Sequence, residues 1–191
     1  MEKIVEECSE WYPEKQPLYH CVISLIISQK ISFGQSREIR RKIYEKVGKS
    51  IFIWQDIIKI TDKEWKYINI DKNKKETIME VTLLERDGLL SNMLVTHKIK
   101  GIGPWTIKAT KIMTYSDDNI DLYEDLWIRK RMSEVYDIQS SQRACKEVFD
   151  NFKGKKSQLS RFLWRIKPQS IDKVRKCLSE NVFLLVKDDF I

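Results

Sequence analysis

Apolar residues recur along most of the chain at the three- and four-residue spacing that is typical of amphipathic helices. The stretch 18–27 is almost continuously apolar and predicts a helix buried in the core, since it is too short to span a bilayer. Residues 32–47 predict an amphipathic helix with basic side chains on its polar side, ended by Gly48. Strand signals are weak, although the final stretch 182–191 fits either a short strand or an apolar tail. The pattern therefore predicts an all-α fold.

Further helices follow from the same periodicity and from cap residues. Thr61 or Asp62 is positioned to cap one of them, and Gly88 to close another. The predicted helices are 54–60, 62–68, 74–86, 89–99, 105–115, 125–136, 141–151 and 157–166. With 191 residues, the chain is long enough for one domain or two small lobes without stabilising disulfides or metals.

The charge balance favours a polyanionic partner. Lysine and arginine number 35 against 28 acidic residues, which gives a formal net charge of +7. A basic surface of this kind attracts nucleic acid, and a lysine-rich surface that serves solubility remains the alternative.

Cysteine usage and the first residues favour an intracellular protein. Cys8, Cys21, Cys145 and Cys177 fit no metal-ligand spacing, so we expect small buried side chains with free thiols in a reducing compartment. The N-terminus lacks the apolar core of a signal peptide, and no apolar run is long enough for a membrane span.

Residues 100–106, Lys-Gly-Ile-Gly-Pro-Trp-Thr, predict a hairpin between two helices. Glycine permits a positive φ and a close backbone approach, so Gly101 and Gly103 suit a tight turn around Ile102, which would point inward. Pro104 suits the first turn of the next helix, whose amides and positive dipole end would bind a phosphate. An ordinary joint between two helices that happens to use Gly-x-Gly is the alternative.

An acidic residue, Asp125, follows Gly103 by 22 positions, at the start of a basic predicted helix. Taken alone, such a residue is most simply an N-cap, whose side chain accepts a hydrogen bond from the first helical turn. Its place after the hairpin, one helix and a turn suggests a second interpretation.

This order of motifs resembles the helix-hairpin-helix superfamily of DNA glycosylases, which includes endonuclease III, 8-oxoguanine glycosylase and the AlkA type of 3-methyladenine glycosylase. Residues 21–32 resemble the family's early buried helix that ends in Ser-Gln, here at Gln29. Residues 152–165 match a late AlkA-type pattern at Ser157 and at Leu163-Trp164, and depart from it at Phe152, Gly154 and Lys156. The resemblance covers about residues 18–166 and implies that Asp125 is the catalytic aspartate.

The same resemblance assigns the other site residues. Trp105 and Trp164 would line the base pocket, where electron-rich rings attract an alkylated, positively charged purine. Trp105 stands where bifunctional members carry a nucleophilic lysine, so the resemblance implies a monofunctional enzyme that uses water; rescue by Lys108 or Lys111 is the alternative. The residues expected to contact DNA are Gln29, Lys30, Lys100, Gly101, Ile102, Gly103 and Thr106.

The resemblance implies a two-lobed helical DNA glycosylase fold with a helix-hairpin-helix motif and a central cleft. One lobe would comprise 21–117, and the other 1–20 with 118–191, with Asp125 at the mouth of the cleft. Arg129, Lys130 and Arg131 would contact phosphates or form a solvated basic face.

We expect a monomer that removes a damaged base from double-stranded DNA in base excision repair, in the nucleus of a eukaryote or the cytoplasm of a prokaryote. We expect no cofactor, no catalytic metal and no iron–sulfur cluster, with a structural monovalent cation at the hairpin as an option. Two alternatives stay open: a bifunctional or oxidised-base glycosylase, and a non-catalytic helix-hairpin-helix DNA-binding module.

Overall fold

Eleven α-helices and one 3-10 turn account for the regular structure of the computed structural model, which describes residues 15–96 and 99–180. The helices are α1 (Leu18–Ser28), α2 (Phe33–Val47), α3 (Trp54–Ile57), α4 (Asp62–Ile68), α5 (Lys72–Arg86), α6 (Leu90–Val95), α7 (Pro104–Met113), α8 (Leu126–Tyr136), α9 (Gln142–Asp150), α10 (Lys156–Arg165) and α11 (Ile171–Glu180). The 3-10 turn is Pro168–Ser170. These residues contain no strand, and the all-α prediction is confirmed; the stretch 182–191 lies outside the described residues.

Cap residues determine where several helices begin and end. Ser32 caps α2, because its hydroxyl accepts a hydrogen bond from the Gln35 amide. The side chain of Gln35 in turn accepts a hydrogen bond from the Ser32 amide. Gly48, at a φ of 72°, closes α2 in the left-handed conformation that glycine adopts without strain. Thr61 caps α4 through the equivalent exchange with Glu64. These predicted boundaries are confirmed because the cap chemistry is local in sequence.

Two helices differ most from the prediction, and both are shorter. The helix predicted at 54–60 ends at Ile57, since the amide of Ile60 bonds the Ile57 carbonyl in a tighter turn. The helix predicted at 89–99 is Leu90–Val95, and the hydroxyl of Thr96 donates to the carbonyl of Met93 at its end. A side-chain hydroxyl that takes a terminal carbonyl in this way competes with continuation of the helix.

The helix α11 was not predicted. Its buried residues Ile171, Val174 and Cys177 recur every three positions, and charged residues that are exposed or half-buried separate them. This spacing is itself the signal of an amphipathic helix, so the element could have been found from the sequence.

The chain divides into two compact units, one of residues 16–110 and one that contains Lys111 onward. In the first unit α1 packs on α5, and α3 also packs on α5. Its core is made of fully buried aliphatic side chains such as Val22, Ile23, Ile26 and Ile78. The buried helix predicted at 18–27 is thereby confirmed.

The second unit is organised around α8, which packs against α9, α10 and α11. Ile128 and Met132 of α8 are fully buried, and so are Phe149 of α9 and Phe162 of α10. Neighbouring helices thus supply the core of this unit from separate parts of the sequence.

The boundaries of the units differ from the predicted lobes of 21–117 and 1–20 with 118–191. The start of α1 belongs to the first unit because the hydroxyl of Tyr19 hydrogen-bonds Thr82 of α5 at 2.8 Å. The end of α7 belongs to the second unit because the Nη1 of Arg161 donates to the carbonyl of Ile112 at 3.0 Å. Both bonds connect residues far apart in sequence, which local pattern does not reveal.

Three of the four cysteines, Cys21, Cys145 and Cys177, are buried free thiols, as predicted; Cys8 lies outside the described residues. Burial raises the pKa of the Cys21 thiol to about 12, so this thiol stays protonated and unreactive at neutral pH. None of the described helices combines the length and apolar character needed to cross a lipid bilayer.

Candidate functional site

The hairpin before α7 requires a glycine at position 101. Gly101 has a φ of 81°, in the left-handed region, and the turn is closed by the Ile102 amide, which donates to the Ile99 carbonyl at 3.1 Å. A Cβ added at Gly101 would stand 2.6 Å from the Oγ1 of Thr77 on α5. The backbone therefore approaches α5 as closely as the absence of a side chain allows.

Ile102 is buried in the core of the first unit, as predicted for the residue between the two glycines. Gly103 and Lys100 are exposed on either side of it, and α7 begins at Pro104. The amides in the first turn of a helix have no intrahelical acceptor, and they lie at the positive end of the helix dipole. The hairpin thus has the local geometry of an anion-binding helix start.

Gln29 connects the end of α1 to this hairpin. Its Nε2 donates to the Gly101 carbonyl and to the Oγ1 of Thr106, each at 3.0 Å. Thr106 is buried, so its hydroxyl serves the hairpin. The structure brings together three of the predicted DNA-contacting residues, and the side-chain amide of Gln29 positions the other two.

Two residues that support the hairpin region were missed by sequence analysis. Thr77 contacts Gly101, and the Nζ of Lys74 donates to the Ile27 carbonyl at 2.8 Å, near the end of α1. Burial lowers the pKa of Lys74. Neither residue belongs to a recognisable sequence motif, because its role depends on α5 packing beside distant parts of the chain.

Lys30, a predicted DNA contact, is exposed with a φ of 55°.

Asp125 is the N-cap of α8. Its Oδ1 accepts from the Ile128 amide at 2.8 Å, and its own amide donates to the Leu122 carbonyl at 3.0 Å. The side chain is 9% exposed. The capping role considered from sequence is therefore confirmed, and the carboxylate is held in one orientation by its own helix. The catalytic role is a separate prediction, which capping neither requires nor excludes.

The basic residues that follow Asp125 do not form one surface. Lys130 is exposed, Arg129 is half-buried, and Arg131 is buried and paired with Glu134. The expectation that all three contact phosphates or solvent is wrong for Arg131. Its guanidinium lies in the interior, where Glu134, one helical turn ahead, supplies the opposite charge that offsets part of the cost of burial.

The two tryptophans assigned to a base pocket are both half-buried. Trp105 lies in the first turn of α7, and Trp164 lies near the end of α10. Ala109, on α7, is fully buried. Their shared role in base binding stays a prediction.

Residues 15–96 and 99–180 contain no group of three or more histidine, cysteine or acidic side chains placed to hold a metal ion. A monovalent cation at the hairpin would bind backbone carbonyls. The carbonyls of Ile99 and Gly101 already accept hydrogen bonds from Ile102 and Gln29, so they would offer such an ion only their second lone pairs.

Solved structures of 3-methyladenine DNA glycosylases share this fold. A DNA-3-methyladenine glycosidase from Bacillus halodurans is 16% identical with a TM-score of 0.62, over 88% of this chain and 87% of that one. The 3-methyladenine DNA glycosylase Mag1 from Schizosaccharomyces pombe, in complex with abasic DNA, is 15% identical with a TM-score of 0.70, over 85% and 88% of the two chains.

A 3-methyladenine DNA glycosylase from Archaeoglobus fulgidus is 21% identical with a TM-score of 0.62. This likeness covers 76% of the present chain and 56% of that protein. Neither a family model nor a curated relative matches the amino-acid sequence. At these identities the similarity concerns the fold. The chain thus has the all-helical fold of the DNA glycosylases that its sequence motifs resemble.

Proposed function

We propose that the protein is a monofunctional DNA glycosylase that hydrolyses the N-glycosidic bond of an alkylated purine extruded from duplex DNA. The observation that carries the proposal is the buried carboxylate of Asp125 at the start of α8, in a fold shared with 3-methyladenine DNA glycosylases. The expected products are the free base and an intact strand with an abasic site.

Asp125 would stabilise positive charge on the sugar as the glycosidic bond breaks. The leaving purine takes the bonding electron pair, and the sugar becomes oxocarbenium-like. Water then adds to the anomeric carbon, and this water loses a proton to a general base. The carboxylate accepts a hydrogen bond from the Ile128 amide, and the Asp125 backbone is held by its bond to the Leu122 carbonyl, so little reorganisation is needed as that charge develops. Its low exposure strengthens the interaction by reducing screening from water.

The hairpin would hold the DNA backbone. Phosphate contacts from amides at a helix start position a protein on DNA without reading its sequence. Gln29 supports this role, because it fixes the Gly101 carbonyl and leaves the turn little freedom to change shape. The formal net charge of +7 adds a long-range attraction to the duplex.

The absence of a lysine at position 105 favours water as the nucleophile. A Schiff base with the sugar needs an amine, and the side chain two residues after Gly103 is an indole. Trp105 and Trp164 are both partly accessible, and either ring could stack on a flipped purine. An alkylated purine is cationic, and a cation–π contact contributes about 0.5–2 kcal/mol.

The proposal is tested with duplexes that carry 3-methyladenine, 7-methylguanine, ethenoadenine, hypoxanthine, uracil or 8-oxoguanine. We expect release of an alkylated purine and a strand break only after alkali. A break before alkali, or a covalent product trapped by borohydride, would contradict the monofunctional mechanism. No release from any of these duplexes would favour a DNA-binding module without catalysis.

Asp125→Asn separates the charge of the side chain from its capping role. Asparagine caps helices about as well as aspartate, so the variant should fold normally and release base about a hundredfold to a thousandfold more slowly. Asp71→Asn is the matched control, since Asp71 caps α5 by accepting from the amides of Asn73 and Lys74. We expect its activity to equal that of the wild type.

A further inference from the structure

Two large apolar side chains directly after Asp125 are exposed. Leu126 is 74% exposed and Trp127 is 38% exposed, in the first turn of α8. Large apolar side chains in this setting lose favourable burial unless a partner covers them.

Two basic residues lie close to the Trp127 ring. The Cζ of Arg131 lies 4.3 Å from the ring centroid, and the Nζ of Lys130 lies at 5.8 Å. Arg131 is buried and paired with Glu134, so it forms a rigid base for the indole. An aromatic ring that is already held in place loses little side-chain entropy when a second flat group stacks on its exposed part.

We propose that Leu126 and Trp127 form a contact surface for the DNA strand beside the extruded nucleotide. The inference rests on the proposed function of Asp125. Consecutive Cα atoms are about 3.8 Å apart, so a carboxylate that reaches the anomeric carbon brings the next two residues to the same strand. Trp127 is then placed to stack on a neighbouring base or sugar, and Leu126 to exclude water beside it.

The charge of α8 favours DNA over an acidic or neutral protein segment as the occupant. Glu134 is the single acidic residue of the helix and is paired with the buried Arg131, so the half-buried Arg129 and the exposed Lys130 give the accessible part of the helix a positive charge. An exposed aromatic ring beside lysine and arginine is the usual arrangement for binding single-stranded or unstacked nucleotides.

Fluorescence anisotropy with a labelled duplex that carries a tetrahydrofuran abasic site tests the proposal without base release. Trp127→Ala should weaken binding by about fivefold to a hundredfold, and Trp127→Phe should retain most of the affinity. Leu126→Ser should weaken binding severalfold, and it provides a second test, because its exposed side chain contributes little to folding.

Tyr67→Ala is the matched control. Tyr67 is 52% exposed on α4, with the Nζ atoms of Lys42 and Lys46 at 5.1 and 5.6 Å from its ring. It therefore has the same kind of cation–π environment in the other unit of the chain. We expect this variant to bind the duplex as the wild type does.

Tryptophan fluorescence distinguishes contact from an indirect effect on folding. Duplex addition should quench the wild type more than Trp127→Phe, because a stacked base quenches the indole that it covers. Equal quenching together with unchanged affinity of Trp127→Ala and Leu126→Ser would overturn the inference and leave the proposed function intact. If the wild type binds no duplex and releases no base, the proposed function fails and the inference fails with it.

Discussion

The unit of residues 16–110 and the unit that begins at Lys111 differ in the polar groups that they bury. Among the described residues of the first, the buried polar side chains are uncharged at neutral pH: His20, Ser36, Thr77, Thr82, Thr106 and Thr110. In the second, three charged side chains are buried, Asp125, Arg131 and Arg161, and these are all the buried charges among the described residues. Because a buried charge is costly, this difference calls for a functional reason.

The proposed function supplies that reason. A hairpin that binds phosphate through backbone amides needs no charged side chain, so the unit that contains it can have a neutral interior. A carboxylate that stabilises a cationic sugar must be charged and shielded from water, so the unit that holds it has to contain a charged side chain in its interior. This unit accommodates buried cations in two ways. Arg131, which lies against the Trp127 ring, is paired with Glu134, and Arg161 of α10 donates to the Ile112 carbonyl near the end of α7.

Removal of the partner of Arg131 should have the largest effect on stability. Glu134→Ala leaves a buried guanidinium without its carboxylate, and we expect the free energy of unfolding to fall by about 2–4 kcal/mol. Urea unfolding followed by circular dichroism measures the change. Glu134→Ala combined with Arg131→Met should recover much of the loss, since a methionine fills the space without a charge. A double variant no more stable than Glu134→Ala would contradict this account.

The neutral unit should be most sensitive at Gly101. Gly101→Ala meets both the positive φ and the Oγ1 of Thr77, and we expect a loss of about 1–3 kcal/mol. Gly103→Ala is the matched control, because nothing lies within 4 Å of a Cβ there and its φ is outside the left-handed region. Thermal unfolding of both variants makes the comparison. Combining Gly101→Ala with Thr77→Ala should relieve the contact and leave only the backbone strain. Equal losses of stability in Gly101→Ala and Gly103→Ala would contradict the turn geometry.

A smaller effect is expected at Ser157 in the second unit. Its hydroxyl donates to the Asp117 carbonyl at 2.7 Å and accepts from the Ile120 amide at 3.1 Å, which fixes the loop before α8. Ser157→Ala should cost about 1–2 kcal/mol, because two backbone groups lose their partner. Ser160→Ala is the control, as the equally buried Ser160 only bonds the Lys156 carbonyl within its own helix. Chemical denaturation should separate the two variants; the reverse order of stability would be inconsistent with a loop anchor.

The smallest effect concerns pH. Burial, followed by the nearby charge of Arg40, lowers the pKa of His20 from its ordinary value of 6.5. The unfolded chain therefore binds a proton that the folded chain does not, and the free energy of unfolding should fall as pH drops below about 6.5, until the lower folded pKa is reached. His20→Phe should flatten this dependence between pH 7 and pH 5, because phenylalanine suits the contact with Phe52, whose ring centroid lies at 4.4 Å. Identical pH profiles of wild type and variant would remove His20 as the cause.

Much of the fold was predictable because its determinants are local. One helix begins after Ser32 and ends at Gly48, a second begins after Thr61, and a third begins after Asp125. Each of these caps forms its hydrogen bonds with residues about one turn away. The helix α11 was missed although the regular spacing of its apolar positions is an equally local signal.

The candidate site was predictable in its chemistry and less so in its supports. The glycines of the hairpin and the acid after it stand out in the sequence. The bond from Gln29 to Gly101 spans 72 positions, and the contact of Thr77 with Gly101 depends on how α5 packs. The inward turn of Arg131 depends likewise on tertiary context, because a basic residue on an amphipathic helix normally faces solvent.

The most direct test of the account is whether Asp125 recognises positive charge at the sugar. Two duplexes are compared, one with a neutral tetrahydrofuran at the abasic site and one with a cationic pyrrolidine that mimics the charged sugar. We predict that the wild type binds the pyrrolidine duplex at least about tenfold more tightly, and that Asp125→Asn loses this preference while it still binds the neutral duplex. An equal preference in both proteins, or none in the wild type, would contradict the catalytic role of Asp125.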